Sequence, residues 1–240
     1  MKPLQHAQIS RKTYGGYWQD YIALHSFLDS SKAACAHFKH RFLLHHTEGI
    51  ELGARIYGGK VVNSENTAIE TRQILTEHLI EDVGRIVSVE DWARDLLPNK
   101  NDSFYKFLEK KRASIESDCI QGENELLAAF NLSKDDATAV KEFLRFPLAT
   151  SEHPAALLVS HNSFAIFLAE QIFGHAFARN TDSQNQLVAV REVFERVIFL
   201  RMKAVYSPAE IVARTASQEW MRGANVSGRA QEEKKRLATN

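Results

Sequence analysis

Three short stretches place a histidine one helical turn from a carboxylate: His25-x-x-x-Asp29, His45-x-x-Glu48 and His78-x-x-Glu81-Asp82. Spacings of three and four put both side chains on one face of a helix. Helical bundles build metal centres this way, projecting imidazole and carboxylate ligands inward from facing helices. Neutral imidazole with carboxylate oxygen suits Zn, Mn or Fe, and the spacing does not choose among them. The histidines are also unevenly spread. Seven of the ten (His6, His25, His37, His40, His45, His46, His78) lie in the first 78 residues, four of them in "HFKHRFLLHHTEGI" (37–50). One such pair alone is ordinarily a solvated pair or a local hydrogen bond; three close together weaken that reading.

An internal repeat helps to orient these side chains. "DYIALHSFL" (20–28) aligns with "DATAVKEFL" (136–144), and "HHTEGIELGARIYG" (45–58) with "HNSFAIFLAEQIFG" (161–174). "TRQILTEHLIEDVGRIVSVED" (71–91) then meets "VREVFERVIFLRMKAVYSPAE" (190–210), and both end in a capping box, Ser88-x-x-Asp91 and Ser207-x-x-Glu210. His78 falls on Val197, in the apolar stripe Val190, Val193, Phe194, Val197, so position 78 faces the core. His45 keeps its identity as His161, which favours an inward role. His40 stands five residues from His45, about 140° around a helix, and the two cannot both face one narrow site. His37, matched by His153, is expected to start a helix; His46, matched by Asn162, to make a polar or surface contact; His6 is given no role. In the second copy Lys141, Arg145, Ala156, Val197 and Arg201 replace His25, Asp29, His40, His78 and Asp82. Basic side chains where a cation would sit are incompatible with an intact site, so one copy is competent and the other degenerate.

The elements that must position these groups follow from pattern and punctuation. A helix is expected from about Asp20 to Asp29, with a break near Ser30–Lys32 and a second helix to about Tyr57. "GGKVVNSENTAIE" (58–70) reads as a β-hairpin around Asn-Ser-Glu-Asn, followed by a helix over about 70–83 and another after Ser88. "LPNKNDS" (97–103) is a linker. "SFYKFLEKKRASIESDCI" is an amphipathic helix with Phe104, Phe107, Leu108, Ile115 and Cys119 at roughly helical spacing. "AALLVSHNSFAIFLAEQIF" (155–173) is too polar to span a membrane and is expected to be a buried core helix. The fold class is mainly α, with two tandem related helical units, each with a short β-hairpin, packed as a pseudo-dimer. The expected boundaries are 1–97, a linker and connecting helix at 98–119, a degenerate unit at 120–225 and a polar tail at 226–240.

Composition limits the function. Thirty acidic residues balance thirty basic ones in 240, so neither half is a basic platform and specific nucleic-acid binding is not expected. Cys35 and Cys119 stand far apart without a CxxC, which suggests a reducing cytoplasm. No signal segment or membrane span is evident. The chain is expected to be a monomer with an internal pseudo-dimer, or a homodimer.

Residues 1–92 resemble an uncharacterised prokaryotic and phage family known as a domain of unknown function. The elements that carry the resemblance are "SRKTYGG" (10–16), "DYIALHSFLDSSK" (20–32), "KHRFLLHHTEGI" (39–50), "YGGKVVNS" (57–64) and "EHLIEDVGRIVSVEDW" (77–92). Lys39 departs from the family's Arg, and Val87-Ser88 from its Pro-Thr. The resemblance implies a helical domain with His25, Asp29, His40, His45, His78 and Asp82 at motif positions, and brings no activity.

The leading expectation is a helical protein binding a divalent metal ion through those six residues. Its extension is a metal-dependent hydrolase of a phosphoester or other small anionic substrate, with Lys32 and Arg41 holding the anion. The alternative is a non-catalytic interaction or regulatory protein, of mobile-element origin, whose partner is another protein and whose histidines are structural.

Overall fold

The computed structural model describes residues 1–118, 120–179 and 187–223. Cys119 and the expected polar tail therefore lie outside the described residues. The described residues divide into two compact units, one of residues 1–92 with 217–223, the other of residues 93–216.

The first unit contains α1 (Pro3–Tyr14), α2 (Ile22–Asp29), α3 (Ser31–Ala34), α4 (Thr47–Tyr57), an antiparallel hairpin of β1 (Lys60–Val62) and β2 (Ala68–Glu70), and α5 (Thr71–Val83). The division between units falls within α6 (Val89–Leu96). Helices α2, α4 and α5 pack on one another around Leu24, Phe27, Leu28, Ile74, Leu75 and Leu79, all buried. Each such side chain contributes roughly 1.5–3 kcal/mol by leaving water. Gly53 makes the α4–α5 approach possible, because a β-carbon there would come within 2.5 Å of Leu75 Cδ1. Helix α5 stops at Gly84, which takes the left-handed conformation at φ 82°. The next helix starts on the reciprocal Ser88–Asp91 bonds read from the sequence. The 3₁₀ turn at Glu219–Arg222, assigned on sequence to the second unit, is counted with the first. The Trp220 ring packs 4.6 Å from that of Trp92, and the Arg85 guanidinium lies 4.7 Å over Trp220.

The second unit contains α7 (Ser103–Glu116), α8 (Glu123–Ala129), α9 (Lys134–Arg145), α10 (Leu157–Ser160), α11 (Ser163–Phe173), an antiparallel pair β3 (Ala176–Ala178) and β4 (Leu187–Ala189), α12 (Val190–Met202) and α13 (Pro208–Arg214). Its core includes Phe143, Val193, Phe194, Val197 and Ile198. No helix of the described residues is long and apolar enough to cross a membrane.

Two expected helices are broken, for one physical reason. The helix expected to run to Tyr57 is α3, a 3₁₀ turn at Phe38–Leu43 and then α4; the one expected over 155–173 is a 3₁₀ turn at Pro154–Ala156, α10 and then α11. At each break a side chain caps the helix that follows. His46 accepts from Gly49 N–H, and Asn162 from Phe164 and Ala165 N–H. Such caps satisfy backbone donors that the first turn of a helix leaves free. His37 and His153 cap the 3₁₀ turns in the same manner, as helix-start residues.

Candidate metal centre

Three segments of the first unit converge on one buried point. Helix α2 carries His25 and, one turn on, Asp29; helix α5 carries His78 and, one turn on, Asp82. His45 stands between the 3₁₀ turn and α4, where its main-chain carbonyl accepts from the buried Trp92 indole at 2.8 Å. Asp29, His45, His78 and Asp82 each offer a ligand atom within 4.8 Å of all the others. His45 Nε2 lies 3.3 Å from Asp82 Oδ2 and 3.7 Å from Asp29 Oδ1, and His78 Nε2 lies 3.8 Å from Asp82 Oδ2. His45 and His78 are fully buried, Asp82 is 2% exposed and Asp29 7%.

The hydrogen bonds divide these groups sharply. Both ring nitrogens of His45, Nε2 of His78 and Oδ2 of Asp29 are buried without a hydrogen-bond partner. Unpaired buried polar atoms are rare and each costs about 1–3 kcal/mol, so their gathering at one point calls for an occupant. His25, by contrast, uses both nitrogens, Nδ1 with His78 Nδ1 at 2.9 Å and Nε2 with Ser10 Oγ at 2.8 Å.

Burial sets the proton state. It pushes His45 down to about 4 against the pull of Asp82, and His78 to about 3. Burial and then the His78 and His6 rings take His25 down to about 2. Neutral rings of this kind are what a cation requires. Burial raises the carboxyl of Asp82, but the facing His45, His6 and His78 rings outweigh it and hold the group well below the carboxylate range. Asp29 is raised by burial and then by the Asp82 charge.

Of the six expected ligands, Asp29, His45, His78 and Asp82 share the point, and His25 is one contact behind His78. His40 is buried at the margin: its ring is 5.6 Å from that of His45, but Nδ1 pairs with Ser31 Oγ at 2.9 Å. The 140° argument separating it from His45 assumed a continuous helix, which is absent here. Glu48 does not pair with His45; its carboxylate accepts from Thr47 Oγ1 and Val89 N–H and lies 3.2 Å from His46 Nδ1. Lys32 is exposed. Arg41 is turned onto Asp82, with Nε and Nη2 each 3.2 Å from Oδ2, and Nη1 reaches the carbonyls of Met221 and Arg222.

The sequence reading passed over His6. It is fully buried, with Nδ1 2.6 Å from Glu81 and Nε2 3.2 Å from Asp82 Oδ1. Burial opposes its protonation, but Asp82 and Glu81 together raise its pKa. The available signal was the buried face of α1, where His6, Ala7 and Ser10 recur at helical spacing.

Residues 1–101 match the model of a family described as a domain of unknown function (DUF6915). That span holds every residue of the cluster, and it agrees with the resemblance carried by the motifs. Comparison with curated proteins and with solved structures returns no match.

Proposed function

We propose that the first unit binds one divalent metal ion through Asp29, His45, His78 and Asp82. The observation that carries this is the convergence of unpartnered, fully buried nitrogen and oxygen atoms from three separate segments. Separation speaks to the metal. Four ligands about 2.0–2.1 Å from a tetrahedral ion lie roughly 3.3–3.4 Å apart. Neighbouring ligands of an octahedral ion at about the same distance are nearer 2.9 Å apart. The shortest of the three spacings, 3.3 Å, matches the tetrahedral value and the others, 3.7 and 3.8 Å, exceed it; zinc is the metal proposed. Four protein ligands without an open position suit a metal that holds the domain together; catalytic zinc keeps a position for water. Hydrolysis of a phosphoester would need one ligand to give way and Arg41 to leave Asp82.

A second reading has its own support. Arg41 and the raised His6 already face Asp82, and His6 faces Glu81, so the acidic groups have counter-charges without a metal. In that case the histidines are structural and the protein acts by binding a partner. This reading leaves both nitrogens of His45 unexplained.

The proposal extends to the second unit as a duplicated copy that has lost its ligands, the pair being the two halves of a pseudo-dimer. Matched element starts support it. Helices α4 and α11 begin at 47 and 163, a difference of 116, and α5 and α12 at 71 and 190, a difference of 119, with a hairpin between in each case. Elemental analysis of untagged protein tests the metal reading. One equivalent of zinc per chain, lost in His45→Ala, is expected. Metal-free protein that takes up no zinc in titration would favour structural histidines.

A further inference from the structure

A neutral imidazole carries one proton. A ring that gives its Nε2 lone pair to an ion must hold that proton on Nδ1, and a buried Nδ1–H needs an acceptor. Among the described residues the hydrogen-bond partner of His78 Nδ1 is His25 Nδ1, at 2.9 Å, and His25 Nε2 in turn meets Ser10 Oγ at 2.8 Å. His25 and Ser10 are buried, and the three groups form a chain leading from α1 to the cluster.

Two proton placements fit these contacts. In the first, His78 Nδ1–H donates to His25 Nδ1, His25 Nε2–H donates to Ser10 Oγ, and His78 Nε2 is a bare lone pair aimed at Asp29, His45 and Asp82. In the second, Ser10 Oγ–H donates to His25 Nε2, His25 Nδ1–H donates to His78 Nδ1, and His78 Nε2–H points into the cluster. That last proton would be buried without an acceptor, since Asp82 Oδ2 is 3.8 Å away and accepts no hydrogen bond from His78 Nε2. The first placement leaves none of these three groups unsatisfied once an ion is bound; of the cluster's rings, His45 keeps a buried Nδ1 without a partner.

We infer that Ser10 and His25 are positioning residues that fix His78 as the Nδ1–H tautomer and present its Nε2 to the metal. This rests on the metal reading above and changes the ligand set: His25 lies behind a ligand and is not one. It also sets the stoichiometry. His6, His25 and His78 form a second buried group that could hold an ion, but both nitrogens of His25 are committed to the chain. The first unit therefore takes one ion, not two.

Imidazole ¹⁵N–¹H correlation spectra of the metal-free full-length protein, above pH 7, read the tautomers directly. His78 protonated on Nδ1 and His25 on Nε2 are expected; His78 protonated on Nε2 overturns the relay. Zinc titration then measures the consequence. His25→Leu should keep one equivalent of zinc and weaken its binding about 10–100-fold, the usual effect of losing a partner behind a ligand. His25→Gln, which can accept from His78 and donate to Ser10, should recover much of that loss. Ser10→Ala, which leaves the stacked rings in place, should show a smaller drop in the same direction. The cobalt(II) spectrum should keep its shape in all three. A changed spectrum, or loss of stoichiometric binding in His25→Gln, would make His25 a ligand; wild-type affinity in both His25→Leu and Ser10→Ala would remove the relay. Wild-type protein that takes up no metal overturns the metal reading alone, because the tautomers are read in the metal-free sample.

Discussion

Helices α5 and α12 have the same length and follow the same kind of hairpin, yet their penultimate residues have opposite charge. Asp82 in the first unit faces three imidazoles, those of His6, His45 and His78, whose Nε2 atoms lack hydrogen-bond partners. Arg201 in the second is fully buried and fully engaged, with its guanidinium 2.7 and 2.9 Å from the Glu123 carboxylate. Its Nη1 donates to Nε2 of His161, which aligns with His45 in sequence, at 3.3 Å. His161 Nδ1 meets Ser160 Oγ at 3.0 Å, so neither of its ring nitrogens is left over. Four residues before the penultimate position, His78 in one unit is Val197 in the other. Arg41 also places a guanidinium on Asp82 in the first unit, yet Nε2 of His45 and of His78 stay without partners there, whereas Arg201 reaches His161 Nε2. The difference teaches that the unpaired atoms of the first unit are not a general consequence of this packing. In the second unit both ring nitrogens of His161 are satisfied, one of them by the charge of the Arg201 guanidinium.

The largest effect should come from removing that charge. Arg201→Leu leaves Glu123 buried and unpaired, and should destabilise the second unit by about 3–5 kcal/mol in urea unfolding. Replacing both residues with apolar ones should recover most of the loss. If Arg201→Leu alone were neutral, the guanidinium would not be the element that completes the second unit.

Metal removal is next. An ion bound only by the folded state stabilises it by about 2.7 kcal/mol at a hundredfold excess over its dissociation constant. A chelator should lower the melting temperature of the wild type, and His78→Ala should abolish most of that response. His175→Ala, at an exposed position in the second unit, should leave it intact. An equal chelator response in His78→Ala and wild type would place the metal elsewhere.

Acid should separate the units by a smaller step per pH unit. His25, His45 and His78 have folded values of about 2, 4 and 3, all below the ordinary 6.5. Their neutral forms suit the fold fully above pH 6.5. As pH falls from there towards 4 the unfolded chain binds protons that the folded unit refuses, costing about 1.4 kcal/mol per pH unit for each ring. His6, whose value is raised, has the opposite sign: its contribution is present below pH 6.5 and is lost as pH rises through its folded value. In the second unit His161 is depressed by burial and then by Arg201. Metal-free protein should therefore lose its first unit before its second on acidification, followed by hydrogen exchange. The reverse order would contradict the proton assignments.

The smallest effect concerns the support of His45. Trp92 donates to the His45 carbonyl, whereas the residue aligned with it in sequence, the fourth of α13, is the buried and apolar Ile211. Trp92→Phe should cost about 1 kcal/mol in thermal unfolding and slightly weaken zinc binding. No change in either would mean that His45 is held by its neighbours alone.

Much of this was legible in the sequence because the signals were local. The Ser88 and Ser207 boxes, the hairpin around Asn63 and the helix stop at Gly84 each depend on a few adjacent residues. His78 was placed in the core by its alignment with Val197, and it is fully buried. The breaks before α4 and α11 were missed because "LLHHTEG" and "VSHNSFA" read as apolar helix, although His46 and Asn162 stand where capping side chains belong. His6 was missed for a different reason. Its partners Glu81 and Asp82 are more than seventy residues away along the chain, and nothing near it on α1 reveals them. Arg41 is the complementary case: beside His40 it resembled an anion-binding residue, but the fold turns it onto Asp82.

X-ray absorption at the zinc edge of the full-length protein loaded with one equivalent tests the central claim most directly. The account predicts four nitrogen and oxygen ligands at about 2.0–2.1 Å, with outer-shell scattering from two imidazoles, those of His45 and His78. A six-coordinate shell, a shell with three imidazoles, or failure to retain one equivalent of zinc would contradict it.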